Sequence, residues 1–310
     1  MHDQLAQIGI QERELSISHE EPEHEEPEPS RASRLATRWR VLARDRAALA
    51  GLILLAVIAL AAILAPLVSP YDPNAQTSAV RFARPGAGHL LGADEAGRDI
   101  LSRLIWGGRV SLFTGVAPTL AAAVISLLLG LIAGYFGGVL DQITMRTLDI
   151  FFAFPIVLLA ILFAGVLGAG LRNEVIVITV ILIPYMTRVV RTATMSSREQ
   201  EYVEAARAAG AADWQIVLHE VLPNVVSPLL VYAAVLCGLM ILVAAGLSFF
   251  GLGPPPPSAD WGQMVNTGKS VLFEAPHVAM IPSILIVAVA LAFNFLGDGL
   301  RDLLDPHTLR

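Results

Sequence analysis

The stretch VSLFTGVAPTLAAAVISLLLGLIAGYFGGVL, from Val110 to Leu140, contains no Asp, Glu, Lys or Arg. A helix that crosses a bilayer needs about 20 mostly apolar residues, and this run exceeds that. Working outward, Ala47 to Tyr71, Ile150 to Leu171, Val221 to Ala259 and Val278 to Gly297 also lack those four residue types. A shorter run, Val175 to Thr187, is extended by Val189 and Val190 around Arg188, whose side chain would have to snorkel to the interface. The pattern predicts an all-α integral membrane protein with six transmembrane helices, near 48–67, 111–136, 147–168, 173–191, 226–250 and 278–297.

Composition agrees. Of 310 residues, 55% are apolar and only 15% charged, against about 25% charged in ordinary soluble domains. That excludes a disordered chain, a collagen and a disulfide scaffold, and it argues against a soluble enzyme. The net charge of -6 is uneven, because much of the acid sits in the run from Glu20 to Glu28. Residues 1–46 are rich in Glu, Pro and Arg and read as a largely disordered cytoplasmic tail. They do not fit a secretory signal, since the apolar run starts too late. The arginines are scattered, so nucleic-acid binding has little support. The single cysteine, Cys237, lies in an apolar run and reads as a small core residue.

With the N-terminus in the cytoplasm, 14 of the 21 Lys and Arg residues fall in inside segments, the direction the positive-inside rule expects. Both termini are then cytoplasmic. The chain divides into the tail 1–46, a first span and outer amphipathic segment 47–110, a core 111–300 containing the loop 196–224, and a C-terminal end 301–310. Arg98, Arg103 and Arg109, crowded before the second span, suggest that outer amphipathic segment. Spans contain Pro118, Pro155, Pro184, Pro228 and Pro282, which neighbouring helices can accommodate. Gly130 and Gly134 allow a close approach, for intramolecular packing more than for dimerisation. The spans show no clear interior charges and the chain no internal repeat, which weighs against an ion-driven carrier.

The loop between the fourth and fifth spans is the most informative polar segment. Ser196 with Glu199 reads as a capping box, Gly210 as a helix stop able to adopt the left-handed conformation, and Asp213 as the cap of a second helix. Trp214, Val217, Leu218 and Val221 fall at helical spacing on one face. Two short helices meeting at Gly210 could transmit force between spans if a soluble partner gripped them. Small residues at Ala205 and Ala206 permit close approach, and Glu204 offers a charge. From periodicity alone the segment is equally a helical hairpin lying on lipid.

Glu204-Ala205-Ala206-x-x-x-Gly210, followed after eleven intervening residues by Leu222-Pro223, resembles the coupling loop of ATP-binding-cassette importer permeases. Leu91-Gly92-Ala93-Asp94-Glu95-Ala96-Gly97-Arg98-Asp99, Phe154-Pro155, Leu247-Ser248-Phe249-Phe250-Gly251 and Asn294-Phe295-Leu296-Gly297-Asp298 resemble the peptide-transporting branch, and within it the second (C-type) permease subunit of dipeptide and oligopeptide importers. The resemblance covers roughly residues 35–310. The sequence departs from that pattern at His219-Glu220, in the proline run Pro254 to Pro257, and in its acidic tail.

The resemblance implies a permease of the bacterial inner membrane. It would pair with a second permease, bind two ATPase subunits at its inside loop, and receive substrate from an extracytoplasmic binding protein. ATP and Mg would reside on the ATPases, with no cofactor, metal or catalytic residue in this chain. Glu204, Ala205, Ala206, Gly210, Asp213, Leu222 and Pro223 would form the coupling site. Asp149 reads as an interface or coupling residue. Ser248 and Asn294 are polar groups at membrane depth that either line a path or bond to a neighbouring helix. Thr267-Gly268-Lys269-Ser270 ends like a phosphate-binding loop, but Gln263 stands where the motif needs Gly. His19 and His24 within the acidic run read as solvated tail more than as metal ligands. A nickel or other small-solute importer is the alternative within the family.

Overall fold

The computed structural model describes residues 45–77, 80–86 and 88–304. The acidic tail, with His19 and His24, and the Asp305-Pro306 end lie outside the described residues. Helices make up nearly all of the regular structure. Helix α1 (Arg46–Ile63) starts at Asp45, whose carboxylate accepts from the N–H groups of Ala47 and Ala48. A short α2 (Ala65–Val68) follows, with Pro66 in its first turn.

The second long helix, α3 (Ile100–Phe136), has 37 residues and is about 55 Å long, well beyond a hydrocarbon core of about 30 Å. It begins eleven residues earlier than the apolar run suggested, because Asp99 caps it by accepting from the N–H and hydroxyl of Ser102. The expected outer amphipathic segment is therefore replaced. Arg103 and Arg109 lie on α3 itself, and Arg98 and Arg103 are buried. Arg98 Nε donates to Asp94 at 2.6 Å, and Arg103 Nη1 donates to the Pro73 carbonyl at 3.1 Å. Arg109 donates to the Ala62 and Ile63 carbonyls, closing the end of α1.

Sequence reading and structure also part at the third span. It is two helices, α4 (Gly138–Phe152) and α5 (Ile156–Leu167), bent by 90°. Pro155 has no N–H and disfavours helical backbone at Phe154, so the helix stops there. The weakly apolar fourth span is instead a continuous 28-residue helix, α6 (Leu171–Arg198). Beyond the loop come α7 (Glu201–Ala208) and α8 (Asp213–Ile216), the long α9 (Leu222–Phe249), the short α10 (Trp261–Gly268) and α11 (His277–Leu304). Thr267 to Ser270 lies at the end of α10 and in the short turn after it, a setting unlike a phosphate loop that opens a helix.

Contacts fix the direction of each helix. Ser126 donates to the Ile183 carbonyl, Gly130 faces Val190 and Gly134 faces Thr194. Numbers rise together, so α3 and α6 are parallel and the bent pair must return the chain between them. Among the described residues five helices are long and apolar enough to cross a bilayer, six spans in all if the bent pair counts as one. Gly115 meets Ile241 in α9, Gly238 of α9 meets Ala290, and Gly297 of α11 meets Val235. With Gly51 of α1 against Ala292 and Phe295, the start of α1, the end of α11 and the 196–224 loop all lie at one end of the bundle. Here Gly130 and Gly134 serve packing within the chain.

One core gathers Ile178, Leu182, Met186, Met240 and Leu247 between α3, α5, α6 and α9. A second surrounds Trp261, whose indole N–H donates to the Leu104 carbonyl at 2.9 Å. Cys237 is buried. The outward faces of α1 and α5 present Ile53, Val57, Leu158, Leu162 and Val166, which suits a hydrocarbon solvent. At the far end Asp260 caps α10, and burial raises its carboxyl above the ordinary range against hydrogen bonds from Gln263 and Ser111.

Contrary to the expectation of spans without interior charges, Glu174 is buried in the first turn of α6, with no hydrogen-bond partner for its carboxyl oxygens among the described residues. Arg188 does not snorkel alone. It donates to Asp149 at 2.9 Å, and its guanidinium lies 4.0 Å from the centre of the Phe152 ring.

Candidate functional site

The 196–224 loop is built by a sequence of stops and starts. Helix α6 carries on through Arg198, so Ser196 lies in its last turn and the expected Ser196/Glu199 capping box does not form. Gln200 has extended backbone, and α7 follows it without a side-chain cap. Gly210 ends α7 with φ 85°. The Gly210 N–H donates to the Arg207 carbonyl at 3.0 Å and the Ala211 N–H to the Ala206 carbonyl at 3.1 Å. These are the two bonds of a Schellman closure, which needs a residue at ease in the left-handed region.

Asp213 is the first residue of α8 and not its cap, a place held by Ala212. The Gln215 side chain folds back to accept from the Ala212 N–H at 3.0 Å. That frees the Asp213 carboxylate, which accepts the Tyr135 hydroxyl from the end of α3 at 2.8 Å. A carboxylate in the first turn is favoured by the helix dipole. The Arg198 guanidinium donates to the Tyr135 carbonyl at 2.8 Å, so the end of α3 is tied to both sides of the elbow.

Between α8 and α9, Val217–Val221 form a π-turn. It widens the helix and rotates everything after it relative to an α-helical wheel. The expected face of Trp214, Val217, Leu218 and Val221 is therefore split. Ile216 and Val221 are buried and Val217 is half-buried, whereas Trp214 is 61% and Leu218 49% exposed. The result is an apolar, outward patch on the elbow, and Tyr202 on α7 is 40% exposed as well.

Of the residues singled out from sequence, Glu204 and Asp213 share a recess of about 470 Å³ with Tyr135, Arg198, Glu199 and Arg207. Ala205 is exposed, and Ala206 packs inward against the core with Ala211 and Leu222. Pro223 is exposed in the first turn of α9, where its missing N–H costs nothing. Asp149 lies elsewhere, on α4, half-exposed and paired with Arg188. Ser248 is buried under the 253–262 segment, where Gly253 and Gly262 pack on it. Asn294 is half-buried on α11. Tyr135 was missed in the sequence, as nothing local marks a tyrosine that bonds 78 positions away. An exposed Trp on a turn-bounded segment is a signal that Trp214 could have given.

Residues 126–310 match the family described as binding-protein-dependent transport system inner membrane component. The chain belongs to that family. Residues 33–85 match the N-terminal transmembrane domain of oligopeptide transport permease C. The chain is 43% identical over 270 residues to a glutathione transport system permease protein of Pectobacterium atrosepticum, covering 86% of this chain and 89% of that one. It is 38% identical over 289 residues to a dipeptide transport system permease protein of Alkalihalophilus pseudofirmus, covering 92% and 95%. A di/tripeptide transport system permease protein of Pseudomonas aeruginosa is 40% identical over 274 residues, covering 86% and 90%. The permease resemblance read from the motifs thus extends along the whole described bundle. The chain is a multi-pass membrane protein of a transport family.

Proposed function

We propose that this chain is the membrane-spanning permease subunit of an ATP-driven importer of di- or oligopeptides. The observation that carries the reading is the elbow: two short helices fixed at one end of the bundle, tied to α3 through Tyr135 and Asp213, with Trp214 and Leu218 turned outward. A rigid exposed handle continuous with two long helices suits force transmission from a soluble motor. The peptide and glutathione names of relatives near 40% identity favour peptides over nickel.

In this reading a second permease completes the path. Two ATPase subunits, which hold ATP and Mg, grip the elbows, and a binding protein delivers substrate at the opposite end. Both termini and the elbow face the cytoplasm of an inner membrane. Glu204 and Asp213 present charge to the ATPase, and Ala205 leaves room for it. Ala206 and Leu222 anchor the elbow to the core, Gly210 sets its angle, and Pro223 starts α9. ATP-driven closure of the motor supplies a difference in affinity between two permease conformations, which is what shifts such an equilibrium. This chain itself makes and breaks no covalent bond.

The test is the purified complex in proteoliposomes, assayed for ATP hydrolysis and uptake with dipeptides, longer peptides and nickel complexes. Stimulation by peptides is expected, and stimulation by nickel alone would overturn the reading. Trp214→Ala should leave the permease folded yet lose co-purifying ATPase.

A further inference from the structure

The Arg188–Asp149 pair lies at a depth where it needs explaining. Helix α6 has 28 residues, about 42 Å. With a hydrocarbon core of about 30 Å centred on it, Arg188, ten residues before the end of α6 at Arg198, lies about 9 Å inside the core boundary. Both side chains are nonetheless half-exposed, 51% and 50%. Charges at that depth face a protein interior or water, not lipid. The side of the bundle that carries them is therefore turned to water or to a neighbouring subunit, not to lipid.

The surrounding surface has the shape of a path. Two adjoining cavities of about 590 and 570 Å³ share Val189, Pro228 and Tyr232. Together they form one trough, from Phe152 and Tyr185 past Arg188 down to Asp298 and Arg301 at the end of the bundle where the elbow lies. The aromatic walls can take many side chains without selecting one. Of the five donors of the Arg188 guanidinium, one is engaged by a side chain among the described residues, that of Asp149.

We propose that Arg188 and Asp149 are a way-station in the wall of the transport path, where Arg188 receives the free carboxylate of a peptide and Asp149 its free ammonium group. The inference rests on the peptide-importer reading and adds the chemistry by which this chain handles the substrate. Two opposite charges side by side, above sequence-tolerant aromatic walls, suit a zwitterion common to all short peptides. A charge-assisted bond of this kind is stronger than a neutral one and places the termini without reading the sequence between them.

The experiment uses the whole complex in proteoliposomes, matched for assembly, with Ala-Ala as substrate. Arg188→Gln and Asp149→Asn should each lower uptake about tenfold, the loss of one charge-assisted hydrogen bond. With N-acetyl-Ala-Ala, which lacks the free ammonium group, Asp149→Asn should lower uptake no further, whereas Arg188→Gln still should. An equal loss for both substrates in Asp149→Asn would make the pair a strut between α4 and α6, and wild-type uptake in the single variants would overturn the way-station directly. Thr192→Cys, beside Arg188 in the trough, should react with a hydrophilic maleimide in the assembled complex, since the chain's own Cys237 is buried. No reaction there would mean the trough is covered, and the proposal would fall even if the charge variants did not assemble. If the wild-type complex takes up no peptide, the importer reading fails and this inference with it. Wild-type uptake with unaffected variants sinks the way-station alone.

Discussion

Replacing Gly210 isolates backbone conformation from packing. Its φ is 85°, and nothing lies within 4 Å of the point where a Cβ would stand. A side chain there meets no clash, so its whole cost is the left-handed conformation, about 1–2 kcal/mol for an ordinary L-residue. Asn tolerates that region well, Ala less, and a β-branched residue least. One to two kcal/mol is a factor of about 5 to 30 in a local equilibrium. Gly210→Val should therefore raise the fraction of molecules in which the two closing bonds, from Gly210 to Arg207 and from Ala211 to Ala206, are open, by about that factor.

Since Ala206 and Ala211 still pack on the core, the bundle should fold and assemble while the angle between α7 and α8 is lost. The measurement is the ratio of peptide uptake to ATP hydrolysis in proteoliposomes, with co-purification of the ATPase as the assembly control. Coupling should fall in the order Gly, Asn, Ala, Val. Normal coupled uptake by Gly210→Val, or Asn and Val behaving alike, would refute the argument that this turn's conformation sets the elbow.

Further expectations follow from close contacts elsewhere. Gly134→Ala puts a Cβ 2.8 Å from the Arg191 carbonyl oxygen and 2.7 Å from Thr194 Cβ, so α3 and α6 must separate. Overpacking of about 1–3 kcal/mol should lower the thermal midpoint in detergent, whereas Gly165→Ala, with nothing within 4 Å, should not. Tyr135→Phe and Asp213→Ala should each destabilise the elbow by about 1 kcal/mol, and the double variant should cost little more than either. Additive effects in that cycle would mean the 2.8 Å bond contributes nothing. Arg109→Lys replaces the rigid guanidinium fork that holds both the Ala62 and Ile63 carbonyls with a flexible, strongly hydrated point charge. A midpoint drop equivalent to about 1 kcal/mol is expected, and an unchanged midpoint would show that the end of α1 needs no such closure.

The sequence by itself determined that the chain lives in a membrane, because long runs without charge can satisfy their backbone there only as helices. It also determined the turn at Gly210, a local matter of which residues tolerate positive φ, and the kinship of the elbow motif. Tertiary structure decided the rest. The start of α3 depended on Asp99 capping it and on Asp94, Pro73 and the end of α1 receiving three arginines, partners that an apolar count cannot see. The break at Pro155 was ambiguous in sequence because other prolines, such as Pro184 and Pro228, sit inside unbroken helices. How the Trp214 to Val221 stretch divides between outward and buried side chains turned on a π-turn at Val217–Val221, which no helical wheel anticipates. Asp149 and Arg188 are 39 positions apart and Tyr135 and Asp213 are 78 apart. Apolar spacing reports only how each segment meets its solvent, whereas such pairings arise when helices distant in the chain are packed side by side.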